Sequence, residues 1–474
     1  MGKIVGKEKL LLAVILILGL GLRLWGINQS FWLDEASQAQ LSSLSVSQIW
    51  SQRGADFHPP LFYLLAHYWL GIGRSEVWLR LLPISFGLLA VWLMYQLTPQ
   101  VIGEKKVKLW SWEVNSGQIS AFLLAINPFH IYYSQEFRMY SLLALLGLWC
   151  MYLFVKSSKW LWLSLTLLLY THYAGALLFP TMLIYIIFFE SKKLKYLILH
   201  FAISFLLYLP WLPQFVAQLH SGVNIDVYLP GWRSLLAVGP IKAIPLIIFK
   251  LVAGRIDFVS RAVYVVYLSY TLALVGLSIA LARTKRILLL LWLFIPQVLA
   301  ILVSFVIPIT QPFRLIFVLP ALILILTQGV LRLPRLMLLF IIYISVTGVV
   351  MYATRPRLQR EQWRQASSYL LTQASPSSTV VVKFSDRFAP LGWYAPNLQV
   401  IGAVPSYPAK SSEVTAILAE RLKGKDIVYV LDYLAGLSDP YSVVDKSVTD
   451  LGYRLVDTTN FEGVGFIHRY LRAI

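Results

Sequence analysis

Charge is scarce in this chain. Of its 474 residues, 13% are Asp, Glu, Lys or Arg, about half the share usual in a soluble domain, which excludes an ordinary water-soluble fold. Acids are the scarcer sign, 22 against 41 Lys and Arg, so acids grouped beside apolar sequence need a reason to be there. There is one cysteine, Cys150, inside an apolar run. It excludes an intrachain disulfide and is read as a packing residue. Beyond Tyr352 no phosphate-binding Gly motif, metal-ligand spacing or nucleophile elbow occurs, so no chemistry is assigned to the tail.

What the chain has is apolar surface: 58% hydrophobic residues, with 16 Trp, 26 Tyr and 25 Phe, and a mean hydropathy of +0.69. That composition belongs to an integral membrane protein rich in interfacial aromatics. The formal charge of +19 comes from cations in short connections between apolar runs, as topology signals and anionic lipid headgroups require, and not from a nucleic-acid surface. Eleven runs are expected to span a membrane, near 10–27, 78–97, 117–130, 139–155, 160–173, 175–189, 196–212, 262–282, 287–308, 315–331 and 336–352. The first follows lysines but lacks a small-x-small cleavage site and is read as an uncleaved span. Lys3, Lys7 and Lys9, Lys105, Lys106 and Lys108, Lys156 and Lys159, Lys192, Lys193 and Lys195, Arg283, Lys285 and Arg286, and Arg332 and Arg335 fall at alternate connections. The N-terminus is therefore expected in the cytoplasm of a plasma (inner) membrane protein, with the 28–63 and 213–261 loops, the 130s, the 172–174 turn and the tail outside. Leu235–Val252, with Pro240 and Pro245, breaks that alternation and is read as re-entrant or interfacial.

After residue 352 the composition changes. TVVVKF (379–384), LQVIGA (398–403) and DIVYVLDY (426–433) read as short buried strands; Trp363–Gln373 and Glu413–Leu422 have helical spacing. The expected organisation is mostly α: a transmembrane domain over 1–352 and a small extracytoplasmic α/β domain over 353–474.

The candidate chemistry lies in the outward loops. INQSFWLDEASQAQ to ADFHPPLFY carries Asp34, Glu35, Asp56 and His58. An acid just outside a membrane suits a general base, but Asp34 before a helix-like run equally suits an N-cap, and His58 a loop hydrogen bond. In INPFHIYYSQEFRMYSLLALL, Pro128 is expected to end a helix and a new one to start near Ser134. Gln135, Glu136, Arg138 and Tyr140 then fall in its first two turns, Glu136 and Tyr140 on one face. YTHYAG adds His172 and Tyr173 at another outward turn, and TQPFRLIF adds Arg314. A channel or soluble enzyme does not predict acids, imidazoles and cations gathered at one membrane face.

WLDEAS, HPPLFYLL, SEVWLRLLPISFGLLAVWLMYQL, NPFHIYYSQEFRMYSLL, YTHYAG and FRLIFVLPALILIL, in that order, resemble bacterial membrane glycosyltransferases of the protein O-mannosyltransferase and aminoarabinose transferase type, over residues 10 to about 350. The resemblance implies a C-type glycosyltransferase fold and a polyprenyl-phosphate-linked sugar donor. It implies Asp34, the first acid of the pair, as base, with Glu35 beside it, and Arg138 and Arg314 as contacts to the lipid phosphate. Around them His58, Gln135, Glu136, Tyr140, His172 and Tyr173 are expected to support the substrate. The long repeat-rich insert and further acidic motifs of the protein mannosyltransferases proper do not occur, so the acceptor stays open among lipid, glycan and protein. Related oligosaccharyltransferases use a divalent ion, and Asp34, Glu35, Asp56, Glu136, His58 and His172 could supply ligands. No spacing demands a metal, and none is expected.

Overall fold

The computed structural model describes residues 2–51, 57–224, 239–384 and 389–473. Asp56 and the start of the 235–252 stretch lie outside the described residues. The protein is mostly helical. Among the described residues, six helices are long and apolar enough to cross a membrane: Glu76–Ile102, Ser191–Val223, Arg261–Leu281, Arg286–Ser304, Pro312–Arg332 and Pro334–Thr354. Leu61–Leu70, Ser116–Ala125, Tyr140–Val155 and Tyr173–Phe189 are shorter apolar helices, and the chain opens with helix α1, Gly2–Leu24. Pro312–Arg332 has 89% of its apolar window buried, so protein surrounds it almost completely. Gly147 lets the Tyr140–Val155 helix approach it, since a Cβ there would lie 2.6 Å from Phe317 Cβ. Pro240–Ala253, expected to be re-entrant or interfacial, is a helix with Ala243, Ile247, Phe249 and Leu251 buried.

Two compact units result. One consists of Met1–Ile27, Ser45–His220 and Leu236–Leu358; the other is built chiefly from Asn28–Leu44 and Gln359–Ile474. The short acid-bearing segment thus folds with the tail, although hundreds of residues separate them in sequence.

Within the first unit the buried Arg23 of α1 and Arg80 of the Glu76–Ile102 helix have structural partners. Arg23 donates to Gly19 O at 2.8 Å and Ala125 O at 3.0 Å and meets His130 Nδ1 at 2.7 Å. Arg80 donates to Ile27 O at 2.7 Å. Buried guanidinium groups are tolerated because carbonyls at helix ends accept their protons.

The second unit is α/β. Strands β3 (Ser378–Val382), β4 (Val400–Gly402), β5 (Ile427–Leu431), β6 (Tyr453–Phe461) and β7 (Gly465–Arg472) form one sheet of order β4-β3-β5-β7-β6; β1 (Lys106–Leu109) and β2 (Trp112–Asn115) form a hairpin in the first unit. The β4-β3-β5 pairs are parallel and the β5-β7-β6 pairs antiparallel. Val381, Val428 and Val430 pack on one face with Val414 and Leu418, while Val380, Val382, Tyr429 and Leu431 pack on the other with Trp363 and Leu370. Burial on both faces explains the unbroken apolar runs of β3 and β5. Leu33 packs against the second of these cores, which seats the acid-bearing segment on the sheet.

Candidate active site

In the first unit the HPP loop and the YTHYAG turn are tied together by Leu61 N, which donates to Tyr170 O at 2.9 Å. This brings the His58 and His172 rings to 5.3 Å. The Tyr140 ring lies 6.3 Å from His172 and 4.9 Å from Phe313, and the Arg138 guanidinium sits 5.8 Å from the Tyr140 centroid. Arg314 is held over Phe313 at 5.8 Å and donates to Pro308 O. Six side chains from four sequence segments therefore surround one place.

His172 is 5% exposed. Its Nδ1 accepts from Ala174 N at 3.1 Å, so the neutral ring carries its proton on Nε2, and that donor has no hydrogen-bond partner among the described residues. Burial first, then His58, Arg314 and Arg138, hold this turn imidazole well below its ordinary pKa. A buried donor ringed by cations suits an anionic oxygen ligand.

The 126–146 segment departs from expectation. The preceding helix does end just before Pro128, at Ala125, but Pro128 itself opens a short helix, Pro128–Ser134, with Asn127 accepting from His130 N. No helix starts at Ser134, and the next begins at Tyr140. Gln135, Glu136 and Arg138 occupy the break between the two, so Glu136 and Tyr140 are not one turn apart on a helix face. The reason is tertiary: Gln135 Nε2 donates to Arg23 O at 2.9 Å and Trp25 O at 2.8 Å, carbonyls at the end of α1, and this holds the backbone open. Glu136 is buried and interacts electrostatically with Tyr133. Tyr173 is a structural anchor, its hydroxyl donating to Gln218 and accepting from Trp211 Nε1 at 3.1 Å.

Arg255 went unremarked in the sequence. Gly254, at φ +72°, lies so close to Pro128 that a Cβ would stand 2.9 Å from its Cβ, and Arg255 then reaches Tyr132, with its guanidinium 4.8 Å from the ring centroid and a hydrogen bond to the hydroxyl. The only signal was a Gly-Arg pair closing an apolar helix.

Asp34 and Glu35 belong to the second unit. Helix α2, Leu33–Ser42, has Trp32 at its N-cap position and no side-chain cap. Asp34 therefore sits inside the first turn, where its charge favours the helix N-terminus without capping it. Glu35 is fully buried. The capping carboxylate comes from Glu361, whose Oε2 accepts from Leu33 N at 3.2 Å.

Burial, opposed by donation from Trp363, Tyr433 and Leu33 and aided by the Asp34 charge, pushes the Glu361 carboxyl up to about 7. The folded chain thus binds this proton more tightly than the unfolded chain, whose ordinary value is 4.5. The group's contribution is present below pH about 4.5, is lost as pH rises to about 7, and stays lost above. Thermal unfolding of the purified protein is expected to show roughly 2–3 kcal/mol less stability at pH 8 than at pH 5 from this group, and Glu361→Gln is expected to flatten that difference.

A third charged cluster, also in the second unit, is Lys383 with Asp432 Oδ1 at 2.6 Å, Asp445 Oδ2 at 2.5 Å and Asp439 Oδ2 at 3.6 Å, and His468 Nε2 at 2.8 Å from Asp432. Asp432, Asp445 and His468 are close enough to hold a metal ion, but the Lys383 ammonium already serves as their cation. Asp439 of this cluster also caps Val443–Asp450 through Val443 N at 2.6 Å and Val444 N at 3.1 Å.

No family model and no curated protein matches the chain. Solved structures do. The aminoarabinose transferase ArnT from Cupriavidus metallidurans superposes with TM-scores of 0.60 in its apo state and 0.57 bound to undecaprenyl phosphate, at 12% identity, covering 98–99% of this chain and 98% of ArnT. The chain has the fold of the C-type glycosyltransferases. The Archaeoglobus fulgidus oligosaccharyltransferase, a larger member of this glycosyltransferase fold, gives a TM-score of 0.55 at 13% identity over 92% of this chain and 71% of its own. That archaeal enzyme has been crystallised with Zn and sulfate, and in complex with an inhibitory peptide and a dolichol-phosphate.

Proposed function

We propose that the protein moves a sugar from a polyprenyl-phosphate donor to an acceptor hydroxyl or amine at the outer face of a bacterial plasma membrane. The observation that carries this reading is the group of His58, Arg138, His172 and Arg314 around Tyr140, an anion site within a C-type glycosyltransferase fold. In the proposed reaction Asp34 takes the acceptor's proton, the acceptor oxygen or nitrogen attacks the anomeric carbon, and the carbon–oxygen bond to phosphate breaks on the opposite side. Configuration inverts in a single displacement. The polyprenyl phosphate departs as a stable anion, so no strong general acid is needed, and the cations hold its charge. His172 Nε2, Arg138 and Arg314 are the proposed phosphate donors, with Tyr140 and Glu136 lining the site. No metal has a role in this scheme. The proposed topology keeps eleven spans with the N-terminus in the cytoplasm and the tail outside, in contact with membrane lipids; the acceptor is a lipid, glycan or protein.

The test is to incubate the detergent-solubilised protein with a panel of polyprenyl-phosphate sugars and a membrane-lipid extract, following each donor by mass spectrometry. Loss of sugar from one donor, with inverted configuration in the product, is the expected result. Intact donors together with measurable transmembrane movement of a lipid would instead identify a transporter.

A further inference from the structure

Glu361 lies outside every motif that pointed to transfer chemistry, yet it is held from several sides. Its Oε2 accepts from Leu33 N at 3.2 Å and from Trp363 Nε1 at 2.6 Å, and its Oε1 accepts from Tyr433 OH at 2.8 Å. Its carbonyl accepts from Ser30 Oγ at 2.5 Å. Gly463, at φ +76°, allows the close approach of the β6–β7 turn, since a Cβ there would lie 3.0 Å from Glu361 Cα. Around this point the segment before α2 is clamped at successive residues: Arg360 N donates to Gln29 Oε1 at 2.8 Å, Phe31 N to Tyr394 OH at 2.6 Å and Arg364 Nη2 to Asn28 Oδ1 at 3.2 Å. Helix α2 has no cap of its own, so a carboxylate 328 residues away in sequence takes that place.

We propose that Glu361 is a positioning residue for the transfer reaction, anchoring the first turn of α2 and thereby fixing where Asp34 stands. This rests on the reading of Asp34 as the base. A general base works only within hydrogen-bond reach of the proton it takes, and small displacements cost rate steeply. The titratable groups on the elements packed against Glu361 are Asp34 and Glu35 on α2, Asp432 and Tyr433 after β5, Glu462 before Gly463, and Arg360 and Arg364 on its own segment. The anchor works by reach and not by charge. A glutamine satisfies it: the amide oxygen accepts from Leu33 and Trp363, and the amide nitrogen donates to the Tyr433 hydroxyl, which can accept. An aspartate keeps the charge but is one methylene too short to hold all three donors.

The experiment compares Glu361→Gln, Glu361→Asp and Glu361→Leu in the full-length protein, reading turnover, donor affinity and amide hydrogen exchange at residues 33–35. Turnover within about threefold of wild type is expected for Glu361→Gln, and losses of about tenfold or more for Glu361→Asp and Glu361→Leu. Donor affinity should stay unchanged in all three, and exchange at Leu33 should quicken only in the two slow variants. Wild-type turnover in Glu361→Asp, or a Glu361→Gln as slow as Glu361→Leu, overturns the proposal. Should Glu361→Leu fail to fold, the Asp and Gln arms decide between reach and charge. The Leu33 exchange readout does not depend on turnover, so a wrong assignment of the base appears separately, as an active Asp34→Asn.

Discussion

Asp34→Asn is expected to lower transfer by roughly 10²–10⁴-fold, the range that a positioned general base supplies, while leaving donor binding and folding intact. The substitution is nearly isosteric and removes only the ability to take a proton at the attacking acceptor. Asp34 is a first-turn residue whose helix is anchored through Leu33 and Glu361, and an amide at position 34 leaves that anchor untouched. Single-turnover transfer with saturating donor isolates the chemical step, and donor affinity measured separately should match wild type. A purified variant that transfers within threefold of wild type would remove Asp34 from the mechanism. Glu35, fully buried on the same turn, would then be the acid to examine.

Arg138→Ala and Arg314→Ala together carry the second large effect. A charge-assisted contact to phosphate contributes about 1.5–3 kcal/mol, so each single substitution should weaken binding of a polyprenyl phosphate about ten- to a hundredfold. Both guanidinium groups act on the surroundings of His172, and residues sharing one ligand couple, so the double variant need not equal the product of the singles. Calorimetry with a short-chain polyprenyl phosphate, in wild type and the three variants, measures this directly. Lysine at either position should recover only part of the affinity, because a point charge replaces a planar fork. Undiminished phosphate affinity in the double variant would place the donor elsewhere.

The membrane character of the protein was legible because hydropathy reports burial in lipid without reference to partners. The strands β3 and β5 were legible for a similar reason: VVV and IVYVL are buried on both faces, and such runs carry their own signal. Strand β6 was not, since most of its residues are exposed and it forms the sheet edge; an edge strand has little apolar pattern to read. The Gln135–Met139 break escaped because its cause is a pair of carbonyls more than a hundred positions away. Local sequence suggested a helix starting near Ser134, and tertiary hydrogen bonds decided otherwise. The start of α2 was only half legible: Asp34 suited an N-cap or a base equally, while the carboxylate that caps the helix is Glu361. The residues named by motif were legible as candidates, whereas Arg255, delivered by a left-handed glycine, carried no such signal.

The folding of 28–44 together with the tail bears on how such proteins can be recombined. A tail from Gln359 onward looks like an exchangeable module, but its sheet, Tyr394 and Glu361 hold the stretch that carries Asp34 and Glu35. Grafting a foreign tail, or expressing the chain as two fragments divided at 358, therefore separates the proposed base from its footing unless Asn28–Leu44 travels with it. Inheritance of the two pieces should be linked, and chimaeras that respect the link should outperform those that cut only at the visible boundary.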